Sequence, residues 1–104
     1  MRESTLTNKI KKALRLKGGI WFKIHGGAMQ TTGIPDIVGC YRGRFVAFEV
    51  KVPGKESTLT PRQAWTLNRI RFYGGFSAMV TSYEAAVALL EEFDSVITHR
   101  DMPN

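Results

Sequence analysis

The stretch Gly33-Ile34-Pro35-Asp36-Ile37-Val38-Gly39-Cys40-Tyr41-Arg42-Gly43-Arg44-Phe45-Val46-Ala47-Phe48-Glu49-Val50-Lys51 decides how this chain folds. Asp36 to Tyr41 and Arg44 to Val52 are two runs rich in β-branched and aromatic residues, parted only by Arg42 and Gly43. That is the pattern of a β-hairpin with a two-residue turn. With Arg42 and Gly43 as the turn, Tyr41 pairs with Arg44, Val38 with Ala47 and Asp36 with Glu49. Directly opposed residues share a face of the sheet with Cβ atoms about 4.5–5.5 Å apart, so this register sets two carboxylates against each other. The second strand carries Phe45 and Ala47 on one face and Val46, Phe48, Val50 and Val52 on the other. A strand apolar on both faces is central and covered on both sides.

Two carboxylates in a covered strand need a cation or a shared proton to be tolerated. Lys51, two residues beyond Glu49, points to the same face by the period of a strand and brings a positive charge. A divalent metal with oxygen ligands from Asp36, Glu49 and a backbone carbonyl, with Lys51 beside it, satisfies the arrangement. On an exposed edge strand, Glu-x-Lys would be an ordinary solvated pair and Asp36 after Pro35 an ordinary turn end. The Pro-Asp at hairpin distance, the two-sided apolar strand and the basic net charge favour the metal site.

Length and charge set the outer limits. A chain of 104 residues with 43% hydrophobic content is one compact domain, with room for one core and no second module. The core is expected over about residues 3–92, with a tail over about 94–104 in which Val96-Ile97-Thr98 is a candidate edge strand or dimer contact. A net charge of +6 favours an anionic partner, of which nucleic acid is the natural candidate. The single Cys40 excludes an internal disulfide, and its place in a strand predicts a small buried hydrophobe. No apolar stretch approaches a membrane span and the N-terminus lacks a signal-peptide pattern, which predicts a cytoplasmic protein. Neither histidine has a second His or Cys at metal-ligand spacing, so zinc is not expected.

Along the chain, Ser4 or Thr5 can cap a first helix in which Leu6, Ile10, Ala13 and Leu14 recur at helical spacing, with Gly18-Gly19 ending it. Ile20 to His25 reads as a strand and Gly26 to Gly33 as a glycine-rich loop that leads into Pro35-Asp36, a candidate DNA contact. After the hairpin and a polar loop, Thr60-Pro61-Arg62-Gln63 is a capping box with proline at the first helical position, opening a helix to about Tyr73. Phe76 to Val80 is a short strand, and Ser82 starts a last helix through Ala85, Ala86, Leu89 and Leu90. The order αβββαβα predicts an α/β fold with a central mixed sheet flanked by helices.

The Pro35-Asp36 pair followed by Glu49-Val50-Lys51 resembles the core of the PD-(D/E)xK nuclease superfamily. The wider run resembles its virus-type replication and repair nuclease (VRR-NUC) branch, whose small stand-alone members occur in phages and bacteria. Glu3, Lys23-Ile24-His25-Gly26, Gly33-Ile34-Pro35-Asp36-Ile37, Phe48-Glu49-Val50-Lys51 and Gln63 carry the resemblance, over about residues 3–90. It implies a restriction-endonuclease-like core in which Asp36 and Glu49 hold magnesium or manganese, with the Val50 carbonyl as a further ligand. It also implies that Lys51 orients the attacking water or stabilises charge on the phosphate. Glu3 would reach the metal directly or through water, and Gln63 would lie close to the same site. Hard oxygen ligands suit magnesium. Stand-alone relatives act as homodimers on branched DNA, so the resemblance implies a structure-selective endonuclease such as a Holliday junction resolvase. The competing readings are a non-catalytic DNA-binding module and an accessory subunit of a larger repair or packaging complex.

Lys23 and His25 share a face of the strand before the hairpin, which makes Lys23 a candidate phosphate contact, as are Arg62 and Lys55 and, beside them, Arg69 and Arg71. Trp21 and Trp65 are expected as core or interface anchors.

Overall fold

The computed structural model describes residues 1–25 and 32–101, with side chains through residue 96. Its elements run α1 (Glu3–Lys17), β1 (Ile20–Lys23), β2 (Ile37–Tyr41), β3 (Arg44–Val50), a 3-10 turn (Glu56–Thr58), α2 (Pro61–Phe72), β4 (Phe76–Val80) and α3 (Tyr83–Asp101). The strands form one sheet in the order β1-β2-β3-β4. β1, β2 and β3 pair antiparallel, and β4 joins β3 in parallel after the α2 crossover, which makes the sheet mixed. This is the expected α/β arrangement, with β3 inside the sheet.

The hairpin has the register read from its turn: Tyr41 opposes Arg44, Val38 opposes Ala47, and Ile37 opposes Phe48. Arg42 and Gly43 both have positive φ, 51° and 79°, the geometry of a type I′ turn whose twist matches that of the strands. Val46, Phe48 and Val50 are fully buried in a core with Leu6, Ile10 and Leu14 of α1 and Ala86 and Leu90 of α3. On the other face, Ala47 and Ser77 are buried, and the Ser77 hydroxyl donates to the Leu67 carbonyl of α2. Thus α1 and α3 cover one face, while α2 packs over β3 and β4 on the other.

That division explains why Cys40 is exposed rather than buried as expected. It pairs with Ile20 and Phe45 on the second face, where α2 packs over β3 and β4 and leaves the β1–β2 side uncovered, and Ile20 and Phe45 are exposed as well. Trp21 is buried as anticipated, and its indole packs over Gly39 on the first face. A Cβ at Gly39 would collide with the Ile20 carbonyl and the Trp21 ring. Gly39→Ala is therefore expected to cost about 1–3 kcal/mol, as overpacking does. Each kcal/mol should lower the melting temperature by about 4–8 °C in a thermal scan.

The C-terminal segment also departs from expectation. In place of a loose tail with an edge strand at 96–98, α3 continues to Asp101. β-propensity in a Val-Ile-Thr run is a weak preference that tertiary anchoring overrides. The anchor is Asp94, which accepts from the Tyr41 hydroxyl at 2.7 Å and pairs with Arg42 at 3.1 Å and Lys17 at 3.4 Å. Burial and the Asp94 acceptor push the Tyr41 hydroxyl up to about 12, while the hydrogen bonds from Tyr41, Arg42 and Lys17 hold the Asp94 carboxyl below its ordinary value against its own desolvation. α1 also begins before its expected caps: Arg2 is the N-cap without a side-chain bond, and Ser4 and Thr5 lie inside the helix. Among the described residues, no helix is long and apolar enough to cross a membrane.

Candidate functional site

Asp36 stands one residue before the first β2 ladder pair, Ile37 with Phe48, and its side chain lies against that of Glu49. Its backbone is fixed by Ile24 N–H, which donates to the Asp36 carbonyl at 2.8 Å. Its carboxylate Oδ2 accepts from the Val50 N–H at 2.7 Å, which ties the acid to the far strand. Glu49 is 3% exposed and Lys51 8% exposed. The Lys51 Nζ lies 3.9 Å from Glu49 Oε2, and the Lys51 N–H donates to the Val80 carbonyl at the end of β4.

Gln63 completes the group from α2. Its backbone N–H donates to Thr60 Oγ1 at 3.1 Å and its Oε1 accepts from the Thr60 N–H at 2.9 Å, closing the capping box. Because the amide oxygen is used at Thr60, the amide nitrogen is left to donate to Glu49 Oε2 at 3.2 Å. One side chain therefore starts the helix and holds the acid. Gly33 is the fold's accommodation for this proximity. With φ of +84° it approaches the Arg62 backbone so closely that a Cβ would strike the Arg62 side chain, bringing the Pro35-Asp36 segment against the start of α2.

Gln63→Glu separates the two jobs. It keeps the acceptor for Thr60 but removes the donor to Glu49 and adds a third carboxylate. Helix content should survive, while the Glu49 carboxylate loses its donor. Gln63→Ala should additionally cost about 0.5–1.5 kcal/mol of stability, because the Thr60 N–H loses its acceptor while the backbone bond to Thr60 Oγ1 remains. Circular dichroism and thermal melting of the two variants read the two effects separately.

Glu49 is electrostatically unusual. Burial, then the hydrogen bond and negative charge of Asp36, push its pKa up to about 8, and Lys51 opposes this only in part. Its second oxygen, Oε1, is buried without a hydrogen-bond partner. An unpartnered buried acceptor facing a second acid is costly in a protein interior. A hard divalent cation held by Asp36 and Glu49 would remove that cost, so the donor set fits magnesium or manganese.

The other candidates are arranged less tightly. Glu3 is exposed in the first turn of α1, and its charge is the smallest of the influences recorded on Glu49. Among the described residues, no three His, Cys, Asp or Glu side chains come together as a metal cluster. Val50 is fully buried on β3 between Glu49 and Lys51, and it contributes its N–H to Asp36. Lys23 has the strand parity of Ile37 and Phe48, opposite to that of Glu49, and its Nζ lies 3.4 Å from Asn8 Oδ1 of α1. The structure thus brings together Asp36, Glu49, Lys51 and Gln63 and directs Lys23 toward α1. Arg62 is exposed, with its guanidinium 4.9 Å from the Trp65 ring centre, and Lys55 is exposed in the loop before α2. His25 is exposed just after β1. Of the expected DNA-contacting loop, residues 26–31 lie outside the described residues. Thr60 was not anticipated as part of the site, although its capping-box spacing to Gln63 was the available signal.

No protein-family model matches the chain, and no curated protein matches it in sequence.

Proposed function

We propose that this chain is a magnesium- or manganese-dependent endodeoxyribonuclease of the PD-(D/E)xK type, similar to the VRR-NUC branch, with a restriction-endonuclease-like core. The observation that carries the reading is the buried Glu49 beside the half-buried Asp36, with an orphaned Glu49 oxygen and Lys51 alongside. Asp36, Glu49 and the Val50 carbonyl would hold the ion. When bound, it would neutralise phosphate charge and make water a better nucleophile near neutral pH. The Lys51 ammonium is suited to orienting that water or to balancing charge as it develops on the phosphate. Gln63 keeps the Glu49 carboxylate in place, and the Val50 N–H does the same for Asp36. Glu3 would act at longer range. Arg62 and Lys55 would meet the DNA backbone, and a net charge of +6 favours that partner.

The favoured substrate is branched DNA, including four-way junctions, cut by a homodimer that places two sites for paired incisions. Purified protein incubated with magnesium or manganese should cleave flap or four-way-junction DNA and should do nothing in EDTA. Glu49→Ala should remove cleavage but keep DNA binding. Equal cleavage of linear duplex would remove the junction preference. Binding with no cleavage of any substrate would leave a binding module or accessory subunit instead.

A further inference from the structure

The face of α2 turned away from the sheet is chemically out of character for a solvated helix. Arg62, Trp65, Arg69, Phe72 and Tyr73 recur at helical spacing, so they form one stripe, about 16 Å long at the rise of an α-helix. Trp65 is 52% exposed, Phe72 73% and Tyr73 74%. The Arg69 guanidinium lies 5.7 Å from the Trp65 ring centre and 4.9 Å from those of both Phe72 and Tyr73, and it donates to the Tyr73 hydroxyl at 2.8 Å. Beside the stripe is a groove of about 410 Å³, lined by Phe45, Thr66, Arg69, Ile70, Tyr73 and Gly75. In the first turn of the same helix, Gln63 is bonded to Glu49.

We propose that this stripe is a stacking platform for unpaired bases, so that a single-stranded DNA segment lies along α2 and leads to the Asp36–Glu49 site. Aromatic faces exposed beside arginines are the equipment for single-strand binding: bases stack on the rings and guanidinium groups meet the phosphates. Duplex DNA, with its bases already stacked, offers its phosphates but not its base faces. A second copy of the chain fits the stripe less well, because a two-fold contact centred on it would set arginines against arginines. The positive charge of the chain points to a polyanion. The proposal rests on DNA being the partner and narrows its form to one with unpaired nucleotides near the cut.

Binding in EDTA tests it apart from catalysis. Trp21 is buried and Trp65 half-exposed, so a short oligothymidine should quench emission from Trp65, and Trp65→Phe should abolish that quenching but keep most of the affinity. Trp65→Ala should weaken binding of labelled oligothymidine by about tenfold, and the Phe72→Ala/Tyr73→Ala pair by a similar factor. Duplex affinity should change by no more than about twofold, since phosphate contacts are retained. Circular dichroism should show the helix intact in these exposed-site variants. Unchanged single-strand affinity in the variants, an equal loss for duplex, or a dimer that becomes a monomer in Trp65→Ala would overturn the proposal. A protein that cleaves nothing yet prefers single strands by this route upholds the platform and removes the nuclease reading. Cleavage without any Trp65 effect does the reverse.

Discussion

Replacing Glu49 by Gln should abolish metal-dependent cleavage and, in metal-free buffer above pH 8, make the protein more stable. Both outcomes have the same cause. The carboxyl is 3% exposed, faces Asp36, and has one oxygen without a partner. Its folded pKa is raised from 4.5 to about 8, so the folded state binds a proton that the unfolded chain has released. For an acid raised in this way the sign is unfavourable: stability falls as pH rises from 4.5 toward 8, and the full penalty applies above that. An amide of the same shape carries no charge to desolvate, so Glu49→Gln should flatten that pH dependence. Each kcal/mol relieved should raise the melting temperature by about 4–8 °C. Magnesium should stabilise the wild type and leave the variant unaffected, because only a ligand that binds the native site shifts unfolding. On the proposed reading Glu49 holds the ion, and its loss would then lower the cleavage rate by about 10³-fold or more. Thermal scans at two pH values, with and without magnesium, together with cleavage rates, check every part. A variant less stable than wild type above pH 8 would contradict the account of Glu49.

Lys51→Ala is the second severe change. The ammonium lies 3.9 Å from Glu49 Oε2 and is 8% exposed, so it stands in a site where water screens little. Removing a preorganised charge from such a place costs about 10²–10³-fold in turnover. Lys51 also lowers the Glu49 pKa, so its removal should make Glu49 harder still to ionise and shift the pH–rate profile to higher pH. Lys51→Arg would keep the charge but not its compact shape, and recovery should be partial. DNA binding should persist in both variants. Loss of binding in parallel with rate would make Lys51 a binding residue only.

The grouping of Asp36, Glu49 and Lys51 was legible in the sequence because its parts are local. A two-residue turn fixes register, register fixes which side chains face each other, and Asp36, Glu49 and Lys51 lie within sixteen positions of one another. The capping box at Thr60 was equally local, but its further reach to Glu49 depends on the α2 crossover. Features made by distant segments were not legible. Asp94 anchors α3 to Tyr41, Arg42 and Lys17, contacts separated by more than fifty positions, and without them a Val-Ile-Thr run reads as a strand. Cys40 was expected to be buried because alternation says which residues share a face, but not how far a covering helix extends. Lys23 met the same difficulty: its parity to Glu49 depends on the β1–β2 register, which no short turn fixes. The tight contact at Gly39 is likewise invisible locally, because the Trp21 ring that packs over it comes from β1.

That Asp36 and Glu49 form a cation site can be tested directly with manganese, whose electron paramagnetic resonance signal distinguishes free from bound ion. Titration of the wild-type protein should show bound manganese that magnesium displaces, and Glu49→Gln and Asp36→Asn should each lose it while remaining folded. Undiminished manganese binding in both variants would contradict the account.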